Sequence, residues 1–291
     1  MKSFNWSTAY RTAVMILLLL SCLSGARKAQ SQKLKAEEII AKHLEAIGGT
    51  ETLQSVSTRV ATGTAVVTFR EPGTGQLGGR VVLASEGPKH MMAMAFDNAT
   101  NYPHERIAYD GKDVSGGYVH PGSRSSLGDF LLTNQAILKQ GLWGGELSQS
   151  WLLLNPNRKV KVEAGGMKKI GDRQAYQLKC YPSGSDLKIS MYFDAETFHH
   201  VRTEYERSVI AQMGGTPETS ANQSETRYKL VEEFSDFKKE GGLTLPHAYK
   251  INLEITTGRA GAVKAQWDLS LSEFKFNQHL EPGSFDVDGF D

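Results

Sequence analysis

Apolar and polar residues alternate along many stretches of the chain, and the clearest example is Asp186–Tyr205. Because successive side chains of a strand point to opposite faces, this pattern predicts an antiparallel strand pair, joined by a short turn, with one wet face. The first strand has an apolar face formed by Ile189, Met191 and Phe193. In the second strand, the pattern places Val201 on the apolar face and His200 on the polar one.

The same two-residue period recurs along the chain and predicts more strands. The predicted strands are Thr58–Phe69, Arg80–Ala84, His90–Phe96, Arg106–Tyr109, Val160–Val162, Ala175–Tyr181, Tyr249–Ile255 and Val263–Leu271. Phe274 and Phe276 continue the last strand in the opposite phase, which predicts a bulge near Ser272. Together these stretches predict an α+β, mainly antiparallel fold: one large curved sheet with other elements packed on its apolar side.

Two stretches have apolar residues at helical spacing. Lys33–Ile47 predicts a helix that ends at two glycines, and Thr50 is expected to cap a short second helical turn. Leu127–Gln140 predicts a further helix. Ala211–Glu225 is rich in Gly, Pro, Ser and Thr, which is typical of a long loop.

The first 31 residues predict an export signal. Lys2 and Arg11 accompany the apolar run Ala13–Leu23, which is too short to span a bilayer comfortably, so a membrane anchor is the weaker alternative. We expect residues 1–31 to be a signal peptide and residues 32–291 to be one domain. The stretch ending at Cys22 also resembles a bacterial lipobox, in which Cys22 is lipidated. The expected location is the periplasm, with an outer-membrane lipoprotein as the alternative.

Charge and cysteine content exclude several functions. The chain has 33 Lys and Arg against 32 Asp and Glu, and removal of residues 1–31 leaves a slightly acidic body. We therefore expect no nucleic-acid partner. Of the two cysteines, Cys22 lies in the signal region, so disulfides do not hold the fold together, and Cys180 is predicted to be a small buried hydrophobe.

Motifs for catalysis or cofactor binding are absent from the sequence. Gly73–Gly78 matches GxGxxG, but a predicted strand follows it, whereas a dinucleotide site needs a helix there. The histidines are scattered, and no HExxH, paired CxxC or GxSxG occurs. Four aspartates, Asp110, Asp113, Asp194 and Asp236, are interpreted as turn residues. We expect no catalytic residue, no metal site, no cofactor and no enzymatic activity.

Several segments together resemble the bacterial outer-membrane lipoprotein-sorting proteins, the LolA/LolB-like group. They are AEEIIAKHLEAIGG at 36–49, GPKHMM at 87–92, YDGK at 109–112, YFDAETFHHVR at 192–202, EEFSDFKKEGGLTLPHAYKI at 232–251 and FNQHLEPGSFDV at 276–287. The resemblance implies an incomplete β-barrel wrapped around helices that plug its concave apolar side. It also implies a cavity that holds an acyl chain of a lipid or lipoprotein, with a role in lipoprotein sorting, close to a membrane.

The candidate ligand-binding residues are the large apolar ones expected on that concave side. They are Met92, Met94, Phe96, Trp143, Trp151, Met191, Phe193, Leu253 and Trp267. Methionines suit either a core gap or a pocket for flexible chains, so both alternatives stay open. The family has an arginine where this chain has Gly87, and Lys89 is the candidate rim residue in its place. This departure puts lipoprotein trafficking in doubt.

The alternative function is an interaction or envelope-sensor module with the same fold, anchored through Cys22 and binding an envelope protein rather than a cargo. A cavity of roughly 300 Å³ or more favours the cargo hypothesis. A concave face filled by side chains favours the interaction module.

Overall fold

Twelve antiparallel strands form one sheet in the computed structural model, which describes residues 34–210, 225–258 and 261–287. In chain order they are β1 (Thr58–Glu71), β2 (Gly75–Glu86), β3 (Lys89–Phe96), β4 (His104–Tyr109), β5 (Val114–Gly116), β6 (Lys161–Ile170), β7 (Arg173–Tyr181), β8 (Lys188–Asp194), β9 (His200–Val209), β10 (Thr226–Glu240), β11 (Leu243–Thr257) and β12 (Gly261–Phe276). The sheet order is β5-β4-β3-β2-β1-β12-β11-β10-β9-β8-β7-β6, so β5 and β6 lie at its two edges. The sheet is curved and unclosed, which confirms the predicted fold class.

The predicted strands are all present, and several extend beyond the predicted bounds. The hairpin predicted in Asp186–Tyr205 consists of β8 and β9. β2 begins at Gly75 instead of Arg80, so most of the GxGxxG motif lies in a strand of the β1–β2 hairpin. β10 is not among the strands predicted from the sequence, and Asp236 was expected at a turn. Asp236 instead lies within β10 and has a positive φ of 55°.

Two irregularities decide which side chains face the apolar side. Opposite β1, Thr62 pairs with Glu273 and Gly63 with Leu271, so Ser272 is skipped and the predicted bulge is confirmed. In the β8–β9 pair the register shifts so that Phe193 faces His200. The prediction that His200 lies on the polar face is therefore wrong, because the shift turns its ring to the buried side (0 % exposed).

Four short α-helices accompany the sheet in the described residues: α1 (Ala36–Ala46), α2 (Gly49–Ser55), α3 (Ser126–Thr133) and α4 (Ala136–Lys139). Three 3₁₀ turns are Gly145–Leu147, Leu152–Leu154 and Pro282–Phe285. The helix predicted over Leu127–Gln140 is divided in two at Asn134, whose backbone leaves the helical conformation (φ −112°, ψ 47°) and whose side-chain amide donates to the carbonyl of Phe130. Thr50 lies inside α2, and Gly48 occupies the N-cap position.

Gly141–Leu154, here called the Trp segment, packs between α1 and the apolar face of the sheet. The ring of Trp151 lies 4.8 Å from His43 of α1 and 5.1 Å from His200 of β9. Trp143 lies against Tyr205 and Tyr249 of the sheet. The core is therefore three layers deep here: helix, Trp segment and sheet.

Within the described part of the chain, no helix combines the length and the apolar character that crossing a membrane requires. Cys180 is buried as predicted, and burial raises the pKa of its thiol to about 12.

Candidate functional site

The centre of the concave face is filled by side chains. All nine apolar residues that the sequence nominated are buried, and the most exposed of them, Phe96, is 6 % exposed. A void of only about 20 Å³ lies beside Met92 and Trp143. The nominated residues form a packed core in this conformation, and open space lies at the margins of the concave face.

Glu232 anchors the Trp segment to the sheet through a buried polar network. Its carboxylate accepts hydrogen bonds from the hydroxyls of Tyr205 and Tyr249, at 2.5 Å each, and from the backbone N–H of Gly144 at 2.9 Å. Burial raises the pKa of Glu232, although these hydrogen bonds oppose the rise. Burial and the adjacent carboxylate keep the pKa of both tyrosines well above its ordinary value, so the hydroxyls remain donors.

A second polar group lies between α1 and the sheet. Nδ1 of His200 is 3.4 Å from the Glu146 carboxylate, and Arg59 donates to the backbone carbonyl of Glu146. Burial lowers the pKa of His43 to about 4 and that of Arg59 to about 10. An acid beside an imidazole is a combination found in general-base catalysis. However, Glu146 and His200 are 1 % and 0 % exposed, so no substrate reaches them unless the Trp segment moves. Their role in this conformation is to fix that segment.

A groove of about 630 Å³ opens between α1, α2 and the end of the Trp segment, and we call it the helix groove. Its apolar wall consists of Ile40, Ala41, Leu44, Leu53, Leu153 and Leu154. Helical spacing explains why α1 serves two surfaces: Ile39 and His43 face the core, whereas Ala41 and Leu44 remain accessible in the groove. Arg59 closes one side with a buried guanidinium whose Nε has no hydrogen-bond partner among the residues that the structure describes.

A second opening of about 540 Å³, here called the basic cleft, adjoins the helix groove. Lys139, Arg158 and Lys159 line it, and none of the described residues around it is acidic. The two openings share five lining residues: Gly87, Gln149, Leu154, Pro156 and Arg158. They therefore adjoin each other along a shared wall, which the end of the Trp segment, the residues after it and the Gly87 turn form together.

A third opening of about 680 Å³, here called the tryptophan cleft, lies where Trp267 reaches the end of the sheet. Its polar groups already have partners. Trp267 donates to the Tyr102 hydroxyl at 3.0 Å, and this hydroxyl donates to Glu105 at 2.5 Å, where burial raises the carboxyl pKa to about 7. The Arg124 guanidinium lies 3.9 Å over the Tyr118 ring and donates to the carbonyl of Gly116. This cleft therefore has an apolar wall, but each charged side chain that lines it in the described residues already contacts a partner.

The remaining predicted site residues lie elsewhere. Lys89 pairs with Glu86 at 3.0 Å and lies close in sequence to Gly87, which borders both the helix groove and the basic cleft. Cys22 and the predicted signal peptide lie outside the described residues, as does most of the predicted loop Ala211–Glu225. In the described residues, no group of three or more His, Cys, Asp or Glu is arranged to hold a metal ion.

The groove was not predicted as a site from the sequence. Leu44 and Leu53 contribute to it because they are half-exposed in the structure, and helical spacing does not show that property. Arg158 and Lys159 received no role, since an adjacent basic pair close to a proline is also common on solvated loops. The absence of acidic residues from Asn155–Val162 is the one signal that pointed there.

No family model matches the sequence, and no curated protein matches it. Solved structures are similar in fold at low identity. A DUF1329 family protein from Desulfovibrio piger is 12 % identical, with a TM-score of 0.46 over 88 % of this chain and 98 % of its own. A LolA superfamily protein from Nitrosomonas europaea is 13 % identical, with a TM-score of 0.45 over 88 % and 99 %.

An outer-membrane lipoprotein-sorting protein domain from Vibrio parahaemolyticus is 14 % identical, with a TM-score of 0.43 over 85 % of this chain and 94 % of that domain. The curved, unclosed antiparallel sheet with helices on its apolar side is the architecture that the sequence predicted. Since the identities are 14 % or lower and the TM-scores lie below 0.5, these similarities carry no argument about function, which must be derived from the residues of this chain.

Proposed function

We propose that this is a non-enzymatic envelope protein that binds the acyl chain of a lipid, lipoprotein or other amphiphile in the helix groove. The observation that carries the proposal is the groove itself: about 630 Å³ of open space against accessible leucine and alanine side chains. Small-molecule sites in proteins have volumes of about 300–1,000 Å³ and mostly apolar linings. Each methylene that leaves water for such a wall contributes about 0.8 kcal/mol.

The binding step needs only local movement. The shared wall of the helix groove and the basic cleft includes Leu154, Pro156 and Arg158, and residues 155–157 are exposed. The Trp segment beneath it is held by the Glu232 network. We infer that an acyl chain enters when this wall moves away from α1, while the filled centre of the concave face stays packed. In this proposal the nine residues nominated from the sequence form the packed core that supports the groove, and they do not line the surface that contacts the acyl chain.

Location and processing follow the sequence prediction. Residues 1–31 serve as the export signal, residues 32–291 act as one domain in the periplasm, and lipidation at Cys22 would hold the same domain at the outer membrane. A role in lipoprotein sorting is the specific form of this proposal.

The first test is mass spectrometry, under native and denaturing conditions, of the protein purified from the envelope with its own N-terminus. We expect a bound lipid in the native spectrum that is lost on denaturation. An empty protein would contradict the proposal. The denaturing spectrum also measures the mass of the N-terminal residue and so tests acylation of Cys22.

A second test fills the groove. Ala41 is exposed on the groove side of α1, so Ala41→Trp should occupy the space of the chain and weaken amphiphile binding at least about ten-fold, the equivalent of losing two buried methylenes. Glu45→Trp adds the same side chain to the same helix at an exposed position that does not line the groove. Equal affinities of the two variants would place the cargo elsewhere.

The second candidate function is an interaction module, and the filled concave face favours it. Met92, Trp143, Met191 and Phe193 leave almost no space at the place where a carrier would hold its cargo. In that case the protein from the envelope is empty of lipid and retains an envelope protein through affinity purification. Ala41→Trp then leaves this association unchanged.

A further inference from the structure

Three cations beside the helix groove have no ion-pair partner in the described residues. Lys139, Arg158 and Lys159 all line the basic cleft. Two other cations near the groove already have partners: Lys89 pairs with Glu86, and Arg59 donates a hydrogen bond to the Glu146 carbonyl. A cleft that is lined by cations alone carries a positive potential, which is stronger over the low-dielectric wall of a protein than in open water.

Arg158 has a special position among the three. It lines both openings, and it is half-buried, whereas Lys139 and Lys159 are exposed. Its guanidinium therefore lies where the apolar groove meets the basic cleft. Burying part of an unpaired arginine has a desolvation cost, which an anionic group with two oxygens would offset through paired charge-assisted hydrogen bonds.

The buried end of the helix groove presents further unsatisfied polar atoms. Nε of Arg59, a residue that is 2 % exposed, and Oε1 of Gln149 lack hydrogen-bond partners in the described residues. Both residues line the groove, and Gln149 also lines the basic cleft. Unsatisfied buried polar atoms are rare in folded proteins, and they point to a polar group that completes the site.

We propose that the cargo is an anionic amphiphile whose acyl chain lies in the helix groove and whose negatively charged head lies in the basic cleft, bound by Arg158, Lys139 and Lys159. This inference rests on the proposed function and adds the class of head group. The chemistry that is recognised is a phosphate or carboxylate oxygen cluster joined to an acyl chain. The apolar wall supplies most of the affinity, and the three cations select the head.

The experiment compares three probes on the full-length chain, purified from the envelope and delipidated. Lysophosphatidylglycerol and lysophosphatidylcholine with the same acyl chain differ in head-group charge, and glycerol phosphate supplies an anionic head without a chain. Binding is measured by calorimetry below the micelle concentration. We expect lysophosphatidylglycerol to bind about ten-fold or more tightly than lysophosphatidylcholine, and glycerol phosphate to bind far more weakly than either.

Variants that lack the cations of the basic cleft test where the head group binds. Arg158→Gln should remove most of the preference for lysophosphatidylglycerol, and the triple variant Lys139→Gln/Arg158→Gln/Lys159→Gln should remove all of it. Lysophosphatidylcholine should lose less affinity than lysophosphatidylglycerol, because its own choline cation offsets the charge of its phosphate. The matched control is Lys168→Gln/Lys188→Gln/Lys239→Gln, which changes the net charge equally at exposed strand positions outside both openings. This control should keep the preference, and melting temperatures verify that both triple variants fold.

The outcomes separate the two proposals. Equal affinity of the parent protein for the two lysolipids, or a preference that survives the cleft variant, would overturn the anionic head and leave the acyl-chain groove intact. Glycerol phosphate that binds as tightly as lysophosphatidylglycerol would show a plain anion site and would also overturn the inference. Failure of both lysolipids to bind at all, in a protein whose native spectrum shows no lipid, would overturn the proposed function itself.

Discussion

Glu232 is the residue on which the attachment of the Trp segment most depends. Its carboxylate accepts three hydrogen bonds from two strands and from the segment, and it is 0 % exposed. Glu232→Ala leaves two hydroxyls and one N–H without their acceptor in the core, so we expect the free energy of unfolding to fall by about 3 kcal/mol.

The neighbouring residue supplies the control for Glu232. Glu233 forms a half-exposed ion pair with Arg202 at 2.8 Å, and Glu233→Ala should lower the free energy of unfolding by only about 0.5 kcal/mol. Urea unfolding, followed by tryptophan fluorescence, measures both values. Losses of the same size would show that the Glu232 network does not hold the segment.

His90 predicts a pH dependence of stability. It is buried with Nδ1 3.0 Å from the Ser150 hydroxyl, and burial lowers its pKa from 6.5 to about 4. Between these two pH values the unfolded chain binds a proton and the folded chain does not. The free energy of unfolding should therefore fall as pH falls through this window, by about 3 kcal/mol at most from this group.

The test for His90 is a difference between variants, because Glu105 contributes with the opposite sign. Burial raises the Glu105 pKa to about 7, so its contribution to stability is lost as pH rises from 4.5 to 7. His90→Gln should flatten the decline of unfolding free energy between pH 6.5 and pH 4 relative to the parent protein. His120→Gln, at an exposed position, should leave that decline unchanged. A decline equally steep in His90→Gln would refute the assignment.

Single residues were the hardest scale to predict from sequence. Alternation placed His200 with Arg202 on the wet face, because a one-residue register shift in β9 leaves no mark in the residue pattern itself. Glu232 was not nominated at all, since the donors to its carboxylate come from positions 144, 205 and 249 and meet only in the folded protein. By contrast, the Ser272 bulge was predicted, because two phenylalanines reveal the change of phase.

At the scale of elements, the Trp segment depends on a tight approach at Gly141. Gly141 has φ +67°, and a Cβ there would lie 1.9 Å from the carbonyl oxygen of Ser150. Gly122 has a similar φ of +74° but open space around it. Gly122→Ala should lower the free energy of unfolding by about 1 kcal/mol, the cost of the left-handed conformation, and Gly141→Ala by about 3 kcal/mol, since the clash adds to it.

Thermal and urea unfolding of the two alanine variants measure these two losses of stability. If Gly141→Ala loses no more stability than Gly122→Ala, the segment accommodates a side chain there, and its packing is looser than the structure indicates.

Regular elements with one wet face were predicted best. Strands such as β3 and β8 can be recognised in the sequence because their large apolar residues recur at every second position. β10 was missed because its second half, Ser235–Glu240, is mostly polar and exposed, and because Asp236, at a φ of 55°, interrupts its extended backbone. The helix predicted over Leu127–Gln140 is interrupted at Asn134, whose φ of −112° and ψ of 47° lie outside the helical region, and apolar spacing does not show this change of backbone conformation.

The site belongs to the scale of the whole molecule, and this explains why the sequence did not reveal it. The helix groove is built from positions 37–59, 87 and 149–158, and the sheet order brings these distant segments together. Apolar periodicity identifies residues that face a core, so it nominated the filled centre of the concave face. A groove depends instead on residues that are half-exposed, and this property exists only after the chain has folded.

Hydrogen exchange across the entire molecule tests both the fold and the position of the cargo. The long strands β1, β11 and β12 are paired on both sides, so their amides should exchange most slowly, and the edge strands β5 and β6 should exchange fastest within the sheet. Added lysophosphatidylglycerol should slow exchange in residues 37–54 and 149–159, with little change elsewhere. If exchange slows instead in residues 69–75 and 263–267, the acyl chain lies in the tryptophan cleft, and Trp267 becomes a true ligand contact as the sequence predicted. Since the two sets of amides do not overlap, one experiment distinguishes the groove from the cleft without any mutation.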